Sequence, residues 1–392
     1  MKKQRVIFVC NALEDSTRIE REISSDSPAA SKKIFLMALA LKQAGVKVVI
    51  LSMGRGSQNN DGKYFKSKIV RHRGIPIVYA PFSQKPIISQ LISFISLPYL
   101  LYRMNKFRGT STTIFYNRTT AYISALLMSS LIGYKRVLDL EDGEFFPKEK
   151  FSLHLLYNKC KSILYTRLCN GGTILACRAL STGHIKNELC YFGAIEQCSS
   201  EISWQSDSSI KFILGGTVSY DTGAGNLIEA IRILRKKDEL WARKLEFVIT
   251  GKGDCIEHFK KLSMDNAFPI VKVAGRLSDE EYSLMINRCN VGMALKPNKG
   301  ILANTTFPSK VIELASAGLL VLTSDISDVR HVLKDGAIYL NDDSVDTLLK
   351  SLKYISQDTS SCIDIAKKGI LYVNESCSMK KAGSNLSEYL FR

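Results

Sequence analysis

Several things are missing from this 392-residue chain, and each absence removes a class of function. Its ten cysteines (10, 160, 169, 177, 190, 198, 255, 289, 362 and 377) never form a Cys-x-x-Cys pair. With no secretory leader expected at Met1-Lys2-Lys3-Gln4-Arg5, they read as reduced thiols, not a disulfide framework. No unbroken run of 18 apolar residues occurs, so no membrane-spanning helix is expected. No Gly-x-Gly-x-x-Gly follows the first apolar run, which argues against an NAD-dependent dehydrogenase, and there is no P-loop lysine motif. The histidines at 72, 154, 184, 258 and 331 show no metal-ligand spacing, and an Asp-x-Asp motif is lacking. Zinc-finger and RNP patterns are missing too, which leaves no nucleic-acid module.

Acidic residues are scarce in one half only. Residues 1–200 hold 29 Lys and Arg against 13 Asp and Glu, while residues 201–392 hold 25 against 24. Almost all of the net charge of +17 therefore lies in the first half. A one-sided field of this kind suits an anionic partner. With nucleic acid set aside, a membrane surface or an anionic substrate remains.

The chain reads as two α/β halves. Val6-Ile7-Phe8-Val9-Cys10 suits a buried parallel strand, and a helix over 28–44 leads to a strand over 46–51. Pro28 suits the first turn of that helix and Gly45 its stop. Strands are expected at 76–80, 112–116, 136–140 and 173–177. A Ser-rich linker, 198–209, precedes a second array. There, strands at 211–214, 245–250, 270–273, 291–295 and 319–323 alternate with helices at 225–236, 255–263, 279–288, 308–317 and 327–333. The pattern predicts doubly wound parallel sheets. Ile87–Tyr102 is apolar, interrupted by serines and Pro98, and followed by Arg103, Lys106 and Arg108. It reads either as a buried helix or as a helix lying in a membrane interface.

The motifs gather in the second half. Gly215-Gly216-Thr217 ends a strand and leads into a loop with Ser219, a turn where backbone amides can approach a phosphate. Gly251-Lys252-Gly253 ends the next strand. Gly275-Arg276-Leu277-Ser278 precedes a helix that Ser278 can cap, and Arg276 could face a diphosphate. In Phe307-Pro308-Ser309-Lys310-Val311-Ile312-Glu313, Pro308 starts a helix whose first turn has unpaired amides, and Lys310 and Glu313 share a face. A cation there suits phosphate, and a carboxylate one turn on suits a pair of sugar hydroxyls.

In this order the motifs resemble the retaining GT-B glycosyltransferases of family 4, builders of bacterial surface polysaccharides, most strongly over 210–335. The resemblance implies an α/β fold of two Rossmann-like doubly wound domains facing a cleft. Residues 1–200 would hold the acceptor, 201–375 the nucleotide-sugar donor, and a helix over 376–392 would return to the first domain. Glu313 would bind the donor ribose, with Pro308, Ser309 and Lys310 beside the diphosphate. Gly216, Thr217, Ser219 and Gly251 would approach the phosphates, and Arg276 and Leu277 would flank the base. Thr305 stands where many members carry a second glutamate, near the donor sugar. In the first half, Asp139-Leu140-Glu141-Asp142 resembles the family's acidic run, which would place Asp142 nearest the reacting sugar and Glu141 by the acceptor. Ser31, in place of a glycine-rich loop, and Arg118 complete the expected acceptor contacts.

The implied activity is transfer of a sugar from a nucleotide diphosphate to a membrane- or lipid-linked saccharide at the cytoplasmic face of the cell membrane. Retention at the anomeric carbon is expected, with Lys310, Glu313 and Asp142 catalytic and no cofactor or metal. The rival readings are a GT-B nucleotide-sugar epimerase and a non-catalytic scaffold of the same fold.

Overall fold

The protein is described by a computed structural model over residues 3–24, 26–56, 62–106, 109–141, 143, 153–181, 183, 187–199, 202, 204, 209–299 and 303–392. It divides into two compact units, one of Met1–Ala194 with Met379–Arg392, the other of Ile195–Ser378.

The first unit opens with β1 (Gln4–Cys10), whose last six residues are all buried, as a strand covered on both faces requires. Then come α1 (Asp15–Glu20), α2 (Pro28–Gln43), β2 (Lys47–Ser52), β3 (Tyr64–Phe65), β4 (Lys68–His72), β5 (Ile75–Tyr79) and β6 (Phe82–Ser83). The unit continues with α3 (Pro86–Arg103), β7 (Thr110–Tyr116), α4 (Ile123–Leu131), β8 (Lys135–Leu140), α5 (Leu153–Leu168), β9 (Thr173–Leu175) and β10 (Glu188–Cys190). The main sheet runs β10-β9-β8-β7-β1-β2-β5-β4, parallel except for β4 at one edge. The strand order reverses between β1 and β7. Ser27 caps α2 by accepting the Ala30 N–H, Pro28 takes its first position, and Gly45 follows its end at φ 84°.

The second unit holds β11 (Ile210–Thr217), α6 (Ala224–Lys237), β12 (Leu245–Lys252), α7 (Ile256–Met264), β13 (Ile270–Gly275), α8 (Asp279–Ile286) and β14 (Val291–Ala294). It closes with α9 (Lys310–Ser316), β15 (Leu320–Ser324), α10 (Val329–Leu333), β16 (Ile338–Leu340), α11 (Val345–Gln357) and α12 (Thr359–Cys377). Its sheet is wholly parallel in the order β13-β12-β11-β14-β15-β16, and the reversal falls between β11 and β14. Phe212, Phe247, Ile231, Leu322 and Leu352 are among its core side chains.

The last helix, α13 (Met379–Phe391), belongs to the first unit. It packs along α2 and sends Leu386 and Leu390 into that unit's core. The units meet in sequence at 194/195 because the Ile195 N–H already bonds the Cys377 carbonyl at 2.8 Å, and Ile195 bridges Ser378 in parallel.

Among the described residues, Pro86–Lys106 is long and apolar enough to cross a membrane by length and composition, with 22% of its apolar window buried. The serines that break the run in sequence do not break it on the helix surface. Ser89 and Ser93 lie on the buried face with Leu97 and Leu101, while Ile87, Leu91, Phe94 and Ile95 are exposed on the other.

Candidate functional site

In open α/β sheets the crevice beyond the strand ends at a reversal of strand order is where ligands bind. In the second unit that point lies between the ends of β11 and β14. Three close approaches shape it. Gly216, at φ 102°, sits opposite Gly251 in the β11–β12 register, and a Cβ on Gly251 would stand 1.9 Å from the Gly216 carbonyl oxygen. A Cβ on Gly223 would meet the Leu295 carbonyl oxygen, also at 1.9 Å, so the loop after β11 presses on the exit of β14. A Cβ on Gly216 would stand 2.8 Å from Cε of Lys310. The bare backbone at 216 is therefore what lets the lysine lie over the β11 turn.

Lys310 is the centre of the site. Its Nζ donates to the Tyr282 hydroxyl at 3.1 Å and lies 4.7 Å from the centre of that ring. Glu313 Oε2 is 3.6 Å away, with side-chain exposures of 36% for the lysine and 28% for the glutamate. Burial would loosen the lysine's proton, but Glu313 and Tyr282 outweigh it and raise the Lys310 pKa above its ordinary value. The ammonium is thus charged at every working pH. Tyr282 also packs over the β11 turn, since a Cβ on Gly215 would meet its ring at 3.0 Å. Tyr282 was not foreseen. It arrives on α8, whose start is fixed by a reciprocal cap between Ser278 and Glu281.

The turn before α9 differs from the expected row of unpaired amides. Ser309 N–H bonds the Phe307 carbonyl at 2.9 Å, Val311 N–H that of Pro308 at 3.0 Å, and Ile312 N–H that of Ser309 at 3.1 Å. The helix also starts at Lys310, two residues later than the proline, with Ser309 as its N-cap. Favourable charge here comes from the Lys310 side chain more than from the helix start. Thr305 and Pro308 are half-buried in the same connection, and neighbouring Lys296 and Thr306 bond through their side chains.

Other expected donor contacts fall at varied distances from this point. Thr217 is exposed at the end of β11 and its carbonyl accepts the Thr222 hydroxyl at 2.8 Å. Ser219 caps its own short turn, Tyr220–Thr222, in a reciprocal pair with Thr222. Arg276 is exposed and Leu277 half-buried after β13, the edge strand, two strands from β11.

In the first unit the expected acceptor residues surround the ends of β1, β7 and β8, where that sheet reverses. Ser31 is buried, and its hydroxyl accepts the Leu13 N–H at 3.1 Å, which ties α2 to the loop after β1. Arg118 follows β7, close enough to Tyr165 and Cys169 to oppose the rise that burial imposes on both. Glu141 receives an ion pair from Lys33, and its backbone N–H donates to Asn117 Oδ1 at 2.8 Å. Lys33 also pairs with fully buried Asp139 at 2.9 Å, a clamp the sequence did not reveal. Burial would strip the Lys33 proton, but Asp139 and Glu141 outweigh it and lift its pKa. Asp142 lies outside the described residues. Among the described residues no group of three His, Cys, Asp or Glu side chains is placed to hold a metal ion.

A family model described as glycosyl transferases group 1 matches residues 201–371. No curated protein sequence matches the chain. Among solved structures, HepE of Anabaena in complex with UDP and glucose is similar with a TM-score of 0.67, at 13% identity over 100% of this chain and 99% of that one. Sucrose-phosphate synthase of Thermosynechococcus elongatus is similar with a TM-score of 0.67, at 10% identity over 98% of each chain. A UDP-forming α,α-trehalose-phosphate synthase of Burkholderia xenovorans, in complex with glucose-6-phosphate, gives 0.69 at 10% identity over 98% of this chain and 99% of that one. Whole-chain likeness to these structures establishes the GT-B fold. With the family match across the unit that holds Lys310 and Glu313, this enzyme is a glycosyltransferase of GT-B architecture.

Proposed function

We propose that the enzyme transfers a sugar from a nucleoside-diphosphate donor, held by the second unit, to a lipid-linked or membrane-borne saccharide in surface polysaccharide synthesis. The observation that carries the donor half is the Lys310–Tyr282–Glu313 cluster over the Gly216 turn, at the point where the sheet reverses. UDP in the complex with HepE supports the same reading.

In this reading the bond between the anomeric carbon and the diphosphate oxygen breaks, and negative charge grows on the leaving group. Lys310, held in place by Tyr282, stabilises that charge, and a donor aimed before the reaction begins costs no reorganisation. The Gly216 and Thr217 backbone approaches the same phosphates, and Glu313 accepts hydrogen bonds from the ribose hydroxyls. Asp142 and Glu141 orient the acceptor hydroxyl, whose oxygen bonds the anomeric carbon on the face the diphosphate leaves while its proton passes to the departing phosphate oxygen. Retention and membership of family 4 belong to this proposal. So do the expectation that no metal takes part and a station at the cytoplasmic face of the membrane.

The basic first half supports an anionic acceptor. A polyprenyl-diphosphate-linked saccharide would match its excess of 29 basic over 13 acidic residues in 1–200.

The test is the thermal stability of wild type and Glu313→Ala with a panel of nucleoside diphosphates. Ligand at about 100 times its dissociation constant should add about 2.7 kcal/mol. One nucleotide that shifts wild type and not the variant supports the site and names the base. No shift from any nucleotide defeats the donor assignment.

A further inference from the structure

Helix α3 carries its apolar residues on the outside. Ile87, Leu91 and Ile95 are 85%, 59% and 63% exposed, and Phe94, Tyr99 and Tyr102 continue the row. Their spacing of three and four residues puts them on one stripe of the helix. The opposite stripe, Ser89, Ser93, Leu97 and Leu101, is buried. That face packs on α4, whose Ser124 hydroxyl donates to the Phe94 carbonyl at 2.5 Å. Small serines let the two helices approach, and they leave the large side chains to solvent. A helix that simply filled the core would have the reverse arrangement.

Charge at both ends says what this face meets. Pro86–Arg103 contains no acidic residue. Lys85 precedes it, Arg103 ends it and Lys106 follows, all exposed. Arg103 donates to the Tyr99 hydroxyl at 2.9 Å, pairing a cation with an aromatic at the helix end. Aromatic rings with polar tips and flanking cations are the composition of a bilayer interface. A protein partner of the usual kind would not ask for cations at both ends of an apolar row, and a second copy of this face would set like charges against each other. With its inner stripe packed on α4, α3 cannot enter the hydrocarbon on all sides. At about 1.5 Å per residue its 18 residues extend about 27 Å along the surface.

We propose that the exposed stripe of α3 docks this enzyme on an anionic lipid bilayer, lying parallel to it, with Ile87, Leu91, Phe94 and Ile95 inserted and Lys85, Arg103 and Lys106 on the headgroups. The proposal deepens the membrane-borne acceptor reading by naming the contact surface, and it rests on that reading only for its biological purpose.

The test is co-flotation of the full chain with vesicles of phosphatidylcholine alone, or with about a third phosphatidylglycerol, at low and high salt. Wild type should float with the anionic vesicles and release in high salt or without the anionic lipid. Leu91→Asp with Ile95→Asp should cut recovery at least tenfold. Arg103→Glu with Lys106→Glu should abolish the preference for anionic lipid. Unchanged melting temperature and nucleoside-diphosphate shift, read in the second unit, certify that the variants fold and keep the donor site. Wild type that stays in solution, or flotation indifferent to the paired aspartates, overturns the proposal. So does a dimer in light scattering that the aspartates dissolve, which would assign the face to a second copy. A failed nucleotide shift with intact flotation would count against the donor reading alone.

Discussion

Lys310 Nζ meets Tyr282 twice, 3.1 Å from its hydroxyl and 4.7 Å from the centre of its ring. The two contacts can be separated by mutation. Tyr282→Phe removes the hydrogen bond and keeps the ring under the cation. A hydrogen bond to a charged group contributes about 1.5–3 kcal/mol. Partial exposure of Lys310 puts the expected loss in donor affinity at the lower end, about tenfold. Tyr282→Ala should lose more, because the ring attraction goes too. Nucleotide titration followed by calorimetry reads both, and equal affinity in all three proteins would remove Tyr282 from the site.

Gly216 tests the close approach from the other side. Gly216→Ala places a Cβ 2.8 Å from Lys310 Cε, at a backbone φ of 102° that side chains rarely adopt. Strain of this sort costs about 1–3 kcal/mol. The expected outcome is a folded protein, modestly less stable, whose donor affinity falls by at least tenfold as the lysine is pushed aside. A melting curve together with nucleotide binding separates the two effects, and undiminished binding would mean that Lys310 need not lie over the turn.

The Lys33 clamp predicts a stability effect in the first unit. Lys33→Met leaves Asp139, fully buried, without its cation. Breaking a buried pair from one side costs about 3–5 kcal/mol. Lys33→Met with Asp139→Leu should cost less than Lys33→Met alone, since no buried charge is stranded. Urea denaturation of the two proteins decides it, and a double variant worse than the single would show that the ion pair is not what matters there.

Asp335 sets an acid-side signature for the second unit. Hydrogen bonds from Lys368 and then Tyr372, at 2.6 and 2.7 Å, hold its pKa down to about 2. A carboxylate with a lowered folded pKa adds stability that is fully present above its ordinary value, about 3.9, and is lost as pH falls towards 2. Asp335→Asn should flatten that part of the stability–pH curve and leave neutral pH to neutral-pH comparisons parallel. Chemical denaturation between pH 5 and pH 2 measures it, and an unchanged acid slope would count against the contact.

The parts of the site legible in the sequence are those whose partners are near in sequence. Lys310 and Glu313 stand three apart on one helix, and the structure keeps them 3.6 Å apart. The Ser278 cap could be read in the same way. Tyr282 was hidden because its destination, the β11 turn, is more than sixty residues away, and nothing about a tyrosine on a half-buried helix names its target. Nothing local in the sequence singles out Lys33, because its partners lie 106 and 108 residues on. The bonding of the amides at the α9 start is hidden from the sequence for a different reason. Pro308 signalled a helix start, but the chain tightens there and spends its own N–H groups on carbonyls two and three residues back. Strands with all-apolar runs, such as β1 and β15, were plain because both faces of a parallel sheet are covered. The two-residue strands β3 and β6 carry too little pattern to be seen.

Helix α13 gives the chain a particular order of assembly. On the ribosome, residues 195–378 emerge as a contiguous stretch and can complete their sheet at once. The first unit cannot. Its core includes Met379, Ala382, Leu386 and Leu390, which are synthesised nearly two hundred residues after Ala194. Throughout the making of the second unit, the first must therefore persist with α2 uncovered on the side where α13 will lie. The half of the protein translated first is the half that finishes folding last.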